Sequence, residues 1–222
     1  MVHSVRKEYF DLPLAEHVLT LDDGLYSQYY YFPLLAQAET KLLYFIATSF
    51  IRPGPARRMF SGEHLEYVKE RRYMRDAFGG SGTTKELFMT VEEVQQLAGQ
   101  ENVAIGAHSH FHDIIATEVR PRRQKPLSLW KSERIPCLSE EDLAKYAIRS
   151  RLAFQGYDCQ GPVLVRRSEA EWLDYIQRDT EQCLEWFVKN LDFIPQKYCF
   201  PFNEHNDRLL AVLQSFGFSE FY

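Results

Sequence analysis

The chain has 222 residues, 45% of them hydrophobic and 14% aromatic, which suits one α/β domain, residues 1–222, and gives no reason for a second. A formal net charge of −5 carries no global footprint for nucleic acid. The longest clean apolar run, Leu42 to Ala47, is far too short for a transmembrane segment, which takes about 20 residues.

Strand-like runs at 17–21, 42–47, 102–106, 162–166 and 197–201 alternate with helical patterns. Tyr26 to Glu39 predicts a first helix, interrupted or bent near Pro33. Pro53 to Lys85 is charged, contains Gly79-Gly80-Ser81-Gly82, and predicts a helix plus a mobile loop. Thr90-Val91-Glu92-Glu93 has a capping-box pattern and opens a helix to about Ala98. Glu118 to Glu141 breaks the rhythm, with Arg120, Arg122, Arg123, Lys125, Lys131 and Arg134 around Pro121 and Pro126. Ser168 and Glu171 repeat the capping device and open a long helix to about Asn190. Asp207 to Phe216 reads as a final helix closed by Gly217. Such alternation argues for a parallel sheet, open or closed.

Met1 to Pro13 carries Arg6, Lys7, Glu8 and Asp11 and no apolar stretch of the secretory kind. Cys137, Cys159, Cys183 and Cys199 show no CxxC pairing, and the expectation is four reduced thiols in a cytoplasmic protein.

Two polar clusters follow apolar runs. Asp22-Asp23-Gly24 comes directly after Val18-Leu19-Thr20-Leu21, and His108-Ser109-His110-Phe111-His112 comes shortly after Val103-Ala104-Ile105. Both should sit where parallel strands end, the face on which α/β barrels carry their chemistry. Three of the seven histidines fall within five residues. On a helical turn His108 and His112 share a face; on a strand His110 joins them. Asp-Gly alone is ordinary turn chemistry, but two adjacent carboxylates behind a buried strand are costly unless a cation holds them ionised. Imidazoles and a carboxylate make a facial site for zinc, iron, cobalt or manganese, while the neighbouring carboxylate can take a proton from water. The run Arg120-Pro121-Arg122-Arg123-Gln124-Lys125 is either a solvated face or a dock for an anionic substrate.

Thr20-Leu21-Asp22-Asp23-Gly24 resembles the T-F-D-D-G motif of the polysaccharide deacetylase (NodB-homology, carbohydrate esterase 4) family. Gly106-Ala107-His108-Ser109-His110-Phe111-His112 is similar to its H-[ST]-x-x-H motif, and Tyr198-Cys199-Phe200-Pro201-Phe202-Asn203 to its third motif region. The matches run in order over residues 15–222, with two insertions at about 53–88 and 114–165. The resemblance implies a distorted (β/α)7 barrel. It also implies a divalent ion, zinc before iron, cobalt or manganese, on Asp23, His108 and His112, with Asp22 as general base. His110 falls on a variable position, and Ser109 would orient the loop through its hydroxyl. The backbone N–H of Phe202 would help hold the oxyanion, and Pro201 and Asn203 would line the substrate; Arg122 and Arg123 are substrate-binding candidates through the charge of the basic run, not through the resemblance. Cys199 stands where the family often has arginine. The later motifs, which supply the general acid, have no counterpart before Tyr222, and His205 is the nearby imidazole that can substitute.

The implied activity is removal of an N-acyl group, acetyl first, from an amino sugar of a polysaccharide or its intracellular precursor in surface polysaccharide biosynthesis. Alternatives are deformylation or other C–N hydrolysis on a lipid- or nucleotide-linked sugar, and a catalytically degenerate domain that binds glycan or metal. The sequence is silent on oligomeric state.

Overall fold

In the computed structural model, which describes residues 18–38, 40–79, 84–118, 129–139, 142 and 145–222, the aliphatic runs build one parallel sheet. Its strands are β1 (Leu19–Asp22), β2 (Leu42–Ile46), β3 (Val103–Ala107), β8 (Lys197–Tyr198) and β9 (Glu220–Phe221), adjacent in that order. Strand β2, Leu-Leu-Tyr-Phe-Ile, is buried at every position, as a central parallel strand covered on both faces must be. Register pairs Asp22 with Phe45, Ile46 with Ala107, and Ala107 with Tyr198. Parallel pairing brings the carboxyl ends of β1, β3 and β8 to one edge, and the three motif segments leave from there. The sheet is open among the described residues, with β1 and β9 at its edges, and has five strands where a closed (β/α)7 barrel has seven.

The strand expected at 162–166 is real but belongs elsewhere. A second, antiparallel sheet has the order β5-β4-β6-β7, from β4 (Ile114–Thr117), β5 (Ala147–Ser150), β6 (Tyr157–Gln160) and β7 (Val163–Arg166). Strands β6 and β7 form a hairpin closed by Gly161-Pro162, with Gly161 at φ 61° in the first turn position. That is the place where a two-residue turn calls for glycine.

The expected helix from Tyr26 to Glu39 is broken into α1 (Tyr26–Tyr30), α2 (Phe32–Leu35) and a 3-10 turn over Ala36–Ala38. The break falls at Tyr31, because Pro33 cannot supply the N–H that would continue the first helix. Helix α3 (Glu70–Phe78) forms within 53–85, whereas Gly80, Ser81 and Gly82 of the loop lie outside the described residues. Helix α4 (Val91–Ala98) carries the full capping box: Glu93 N–H donates to Thr90 Oγ1 at 3.2 Å, and Thr90 N–H to Glu93 Oε2 at 2.9 Å. Helix α5 (Leu129–Arg134) follows, then α6 (Glu169–Leu191), capped by Ser168, and α7 (Asp207–Ser215), capped by Asn206. Gly217, at φ 95°, lies just beyond α7. No helix among the described residues is long and apolar enough to cross a membrane.

The main core packs Tyr44, Ile46 and Ile105 of the sheet with Ile176, Cys183 and Phe187 of α6 and Leu209 and Leu213 of α7. The expectation of four reduced thiols is corrected for two of them. Cys137 and Cys159 form a disulfide between the segment after α5 and strand β6, while Cys183 and Cys199 are free and buried.

Gly106 of β3 sets the spacing on either side of its strand. A Cβ there would lie 2.6 Å from Phe45 Cε1 and 2.9 Å from the Lys197 carbonyl oxygen. The backbone atom of β8 cannot swing aside. Gly106→Ala should therefore destabilise the fold by about 1–3 kcal/mol through overpacking, measured as a lower midpoint in urea denaturation.

Candidate metal centre

Asp22 ends β1 fully buried, and the chain then turns left-handed at Asp23 (φ 74°) and Gly24 (φ 82°). Aspartate tolerates this region better than most residues, and glycine adopts it freely. A Cβ at Gly24 would also meet Ile51 Cδ1 at 2.7 Å, so that methyl group would have to shift. Gln28 of α1 fastens the turn: its side-chain amide donates to the Asp22 carbonyl and accepts from Leu25 N–H. The turn leaves the Asp22 and Asp23 carboxylates on the edge where β3 and β8 also end.

The histidine segment is neither the helical turn nor the strand that spacing alone suggested. It is a loop with Ser109 at φ 69° and His112 at φ 51°. The amides of such a loop are not paired in a regular ladder, and two side chains accept from them, one within the loop and one outside it. Ser109 Oγ accepts from His112 N–H at 2.7 Å. Asp179, on the buried face of α6, accepts from His110 N–H at 3.0 Å, Phe111 N–H at 2.8 Å and the Ser109 hydroxyl at 3.4 Å. His108 and His112 converge on Asp23, their Nε2 atoms 3.5 and 3.3 Å from its Oδ1. His110 leaves that direction and places Nδ1 2.8 Å from the Thr48 hydroxyl.

The next residue, Asp113, is gripped by Arg134 of α5 through two contacts, Nε to Oδ1 at 2.7 Å and Nη2 to Oδ2 at 2.8 Å. The far end of the loop is thereby tied to a different helix from its middle.

His108 Nδ1 lies 2.8 Å from the Cys199 carbonyl oxygen. A carbonyl only accepts, so Nδ1 carries the hydrogen and Nε2 presents its lone pair toward Asp23. Burial holds the His108 pKa below its ordinary value, against the pull of Asp22, which keeps the ring neutral and able to ligate. The ligand atoms of Asp23, His108 and His112 all lie within 4.8 Å of one another, and all three residues are buried. Two neutral imidazoles and one carboxylate around a common point fit a divalent transition metal, with positions left over for oxygen ligands.

The third segment leaves β8. Pro201 is buried at the start of a 3-10 turn, Pro201–Asn203. Phe202 sits at φ 62° with its ring 4.6 Å from that of His112, while Asn203 is exposed. His205 is exposed and its ring lies over Phe200, 4.8 Å between centroids. Arg122 and Arg123 lie outside the described residues, as do Arg120 and Lys125.

No protein-family model matches the sequence, and a search of curated proteins finds no match. Solved structures do match. The deacetylase domain of BpsB from Bordetella bronchiseptica superposes with a TM-score of 0.58 at 17% identity, over 92% of this chain and 62% of that one. A de-N-acetylase from Aggregatibacter actinomycetemcomitans gives a TM-score of 0.59 at 13% identity, over 99% of this chain and 70% of that one. IcaB from Ammonifex degensii gives 0.50 at 13% identity, over 99% and 67%. The chain has the NodB-type deacetylase fold. It spans less than two thirds of the length of the BpsB domain structure.

Within this deacetylase fold, sequence reasoning passed over two residues. Asp179 was absorbed into a long helix, although a carboxylate among Trp172, Tyr175, Ile176, Thr180, Cys183 and Phe187, all on the buried face, is a visible signal. Cys199 was noted only as a departure from the family pattern. It lies at the site in two ways, through its carbonyl on His108 and through its thiol, which donates to Asp22 Oδ2 at 3.7 Å.

Asp179 gives a test. Burial pushes its carboxyl up to about 6 from an ordinary 3.8, against the lowering effect of its three donors. Between those values the folded chain binds a proton that the unfolded chain lacks. The stabilising contribution of this group is thus complete below pH 3.8 and lost as pH rises through about 6. Asp179→Asn should remove that slope from a stability–pH profile. By loosening the loop it should also weaken transition-metal binding by about 10-fold or more in a competition titration.

Proposed function

We propose that this chain is a metal-dependent hydrolase that removes an N-acyl group, acetyl first, from an amino sugar of a polysaccharide or its precursor. The observation that carries the proposal is the convergence of the Asp23, His108 and His112 ligand atoms within 4.8 Å. Asp22, the neighbour of Asp23, is buried at the same strand end. On this reading Asp23, His108 and His112 hold the ion, zinc in the first place and iron, cobalt or manganese otherwise. A divalent ion there supplies Lewis acidity toward the acyl oxygen and lowers the pKa of water.

The protein's own groups do the rest. Asp22 takes a proton from the attacking water. The backbone N–H of Phe202 donates to the oxygen that becomes negative, for which the left-handed turn after Pro201 is suited. Pro201 and Asn203 border the substrate. The Cys199 carbonyl and Asp179 keep the ligands oriented. His205 is the proposed proton donor to the leaving amine, and its ring packs against Phe200. Arg122 and Arg123 are proposed to dock a phosphate-bearing form of the substrate. On this reading the five-stranded sheet belongs to a distorted (β/α)7 barrel in a single domain, with insertions at about 53–88 and 114–165. The Cys137–Cys159 bond favours an oxidising compartment over the cytoplasmic location expected from the sequence. Formyl removal and cleavage of another C–N bond on a lipid- or nucleotide-linked sugar use the same groups.

A second reading, a degenerate domain that binds glycan or metal without turnover, is favoured by the exposed position of His205 and by Cys199 in place of arginine. Substitutions separate the two. Asp23→Ala, or His108→Ala together with His112→Ala, should abolish stoichiometric binding of a transition metal, and His110→Ala should bind nearly normally. Metal retained by Asp23→Ala and lost by His110→Ala would overturn the ligand set. Asp22→Asn should keep the metal and lose about 10²–10⁴ in hydrolysis of an N-acetylated amino-sugar oligomer, the usual worth of a positioned base. No turnover by the metal-loaded chain on acetylated or formylated sugars would favour the binding-only reading.

A further inference from the structure

We infer a second metal site, overlapping the first and selective for thiophilic ions, formed by Asp22, His108 and Cys199. The ligand atoms of these three residues also lie within 4.8 Å of one another, and all three residues are buried. The Cys199 thiol is directed at Asp22 Oδ2, 3.7 Å away. Its position relative to His108 is fixed by the pairing of β3 with β8, in which Cys199 N–H donates to the Ala107 carbonyl at 2.9 Å. The main chains that carry Cys199 and His108 are therefore tied to each other.

His108 belongs to both donor sets and can serve one ion at a time. Its Nδ1 is committed to the Cys199 carbonyl, so only Nε2 can ligate. The two sites are thus alternatives. Ligand softness decides between them: a set with thiolate attracts soft ions such as Cd²⁺, and the Asp–His–His set, with no sulfur, suits Mn²⁺ and other oxygen- and nitrogen-seeking ions. Binding exchanges one bond for another, since the Cys199 S–H breaks, its proton goes to solvent and a metal–sulfur bond forms. An ion held there engages Asp22, so on the hydrolase reading soft ions inhibit by capturing the base. The binding itself stands independently of that reading.

The test is a Cd²⁺ titration of the full, disulfide-intact chain, followed by the ultraviolet sulfur-to-cadmium charge-transfer band. The expected result is a band that saturates at one ion per chain, survives in Cys183→Ser and His112→Ala, and vanishes in Cys199→Ser. Circular dichroism checks that each variant is folded, and Cys199→Ala serves if the serine variant is not. Three results would overturn the site: no band in the folded wild type, a band of undiminished strength in folded Cys199→Ser or Cys199→Ala, or loss of the band in folded His112→Ala. None of these readings depends on turnover, so a chain inactive toward acetylated sugars can still pass or fail the test.

Discussion

Asp179 holds a loop that has no regular structure to hold it. The segment after β3 reverses through two left-handed residues, and a backbone in that state leaves its amides without partners of its own. One carboxylate from α6 gathers two of those amides and a hydroxyl. Burying a charge is costly, and three convergent donors offset much of the cost. Because α6 is anchored in the main core by Ile176, Cys183 and Phe187, the direction of His108 and His112 is inherited from helix packing rather than from the loop itself. The convergence of His108 and His112 on Asp23 is in this sense a consequence of the core.

Three strand ends meet at this point, and each contributes in a different manner. Strand β1 delivers two adjacent carboxylates, whose separation in direction comes from the left-handed turn at Asp23. Strand β3 delivers the imidazoles. Strand β8 pairs with β3 at a single register position, Ala107 with Tyr198. Even so, its next residue sets the tautomer of His108 and donates a thiol hydrogen bond to Asp22. A site of this type tolerates little sliding of one strand past another, which is why the close approach at Gly106 matters to chemistry at the end of its strand.

How much of this was legible in the sequence follows from what each residue pattern encodes. Strands β1, β2 and β3 are aliphatic runs with clear ends, and the aspartate and histidine motifs were located by them. Helices α4 and α6 announce themselves through Thr90 with Glu93 and Ser168 with Glu171. The run at 162–166 was read as a strand, but an apolar run does not say which sheet it joins, and a hairpin partner only four residues long gave no separate signal. The histidine spacing was read against regular helix and strand periods, whereas the chain uses neither. Left-handed conformation at serine and histidine is imposed by tertiary contacts and leaves no mark in local sequence. The pairing of Cys137 with Cys159 is of the same kind, since it depends on strand β6 packing against the segment after α5.

That disulfide reaches further than its position suggests. Cys137 lies three residues beyond Arg134, whose guanidinium fork holds Asp113, the residue directly after His112. Covalent closure of this 22-residue separation removes roughly 3 kcal/mol worth of unfolded-chain freedom on the loop-entropy account, and it fastens the arginine's own segment to β6. The tail of the histidine loop is therefore joined, through an ion pair, to a segment that the disulfide holds. Without that bond, the Arg134–Asp113 ion pair would tie the loop to a segment that is itself no longer fastened to β6.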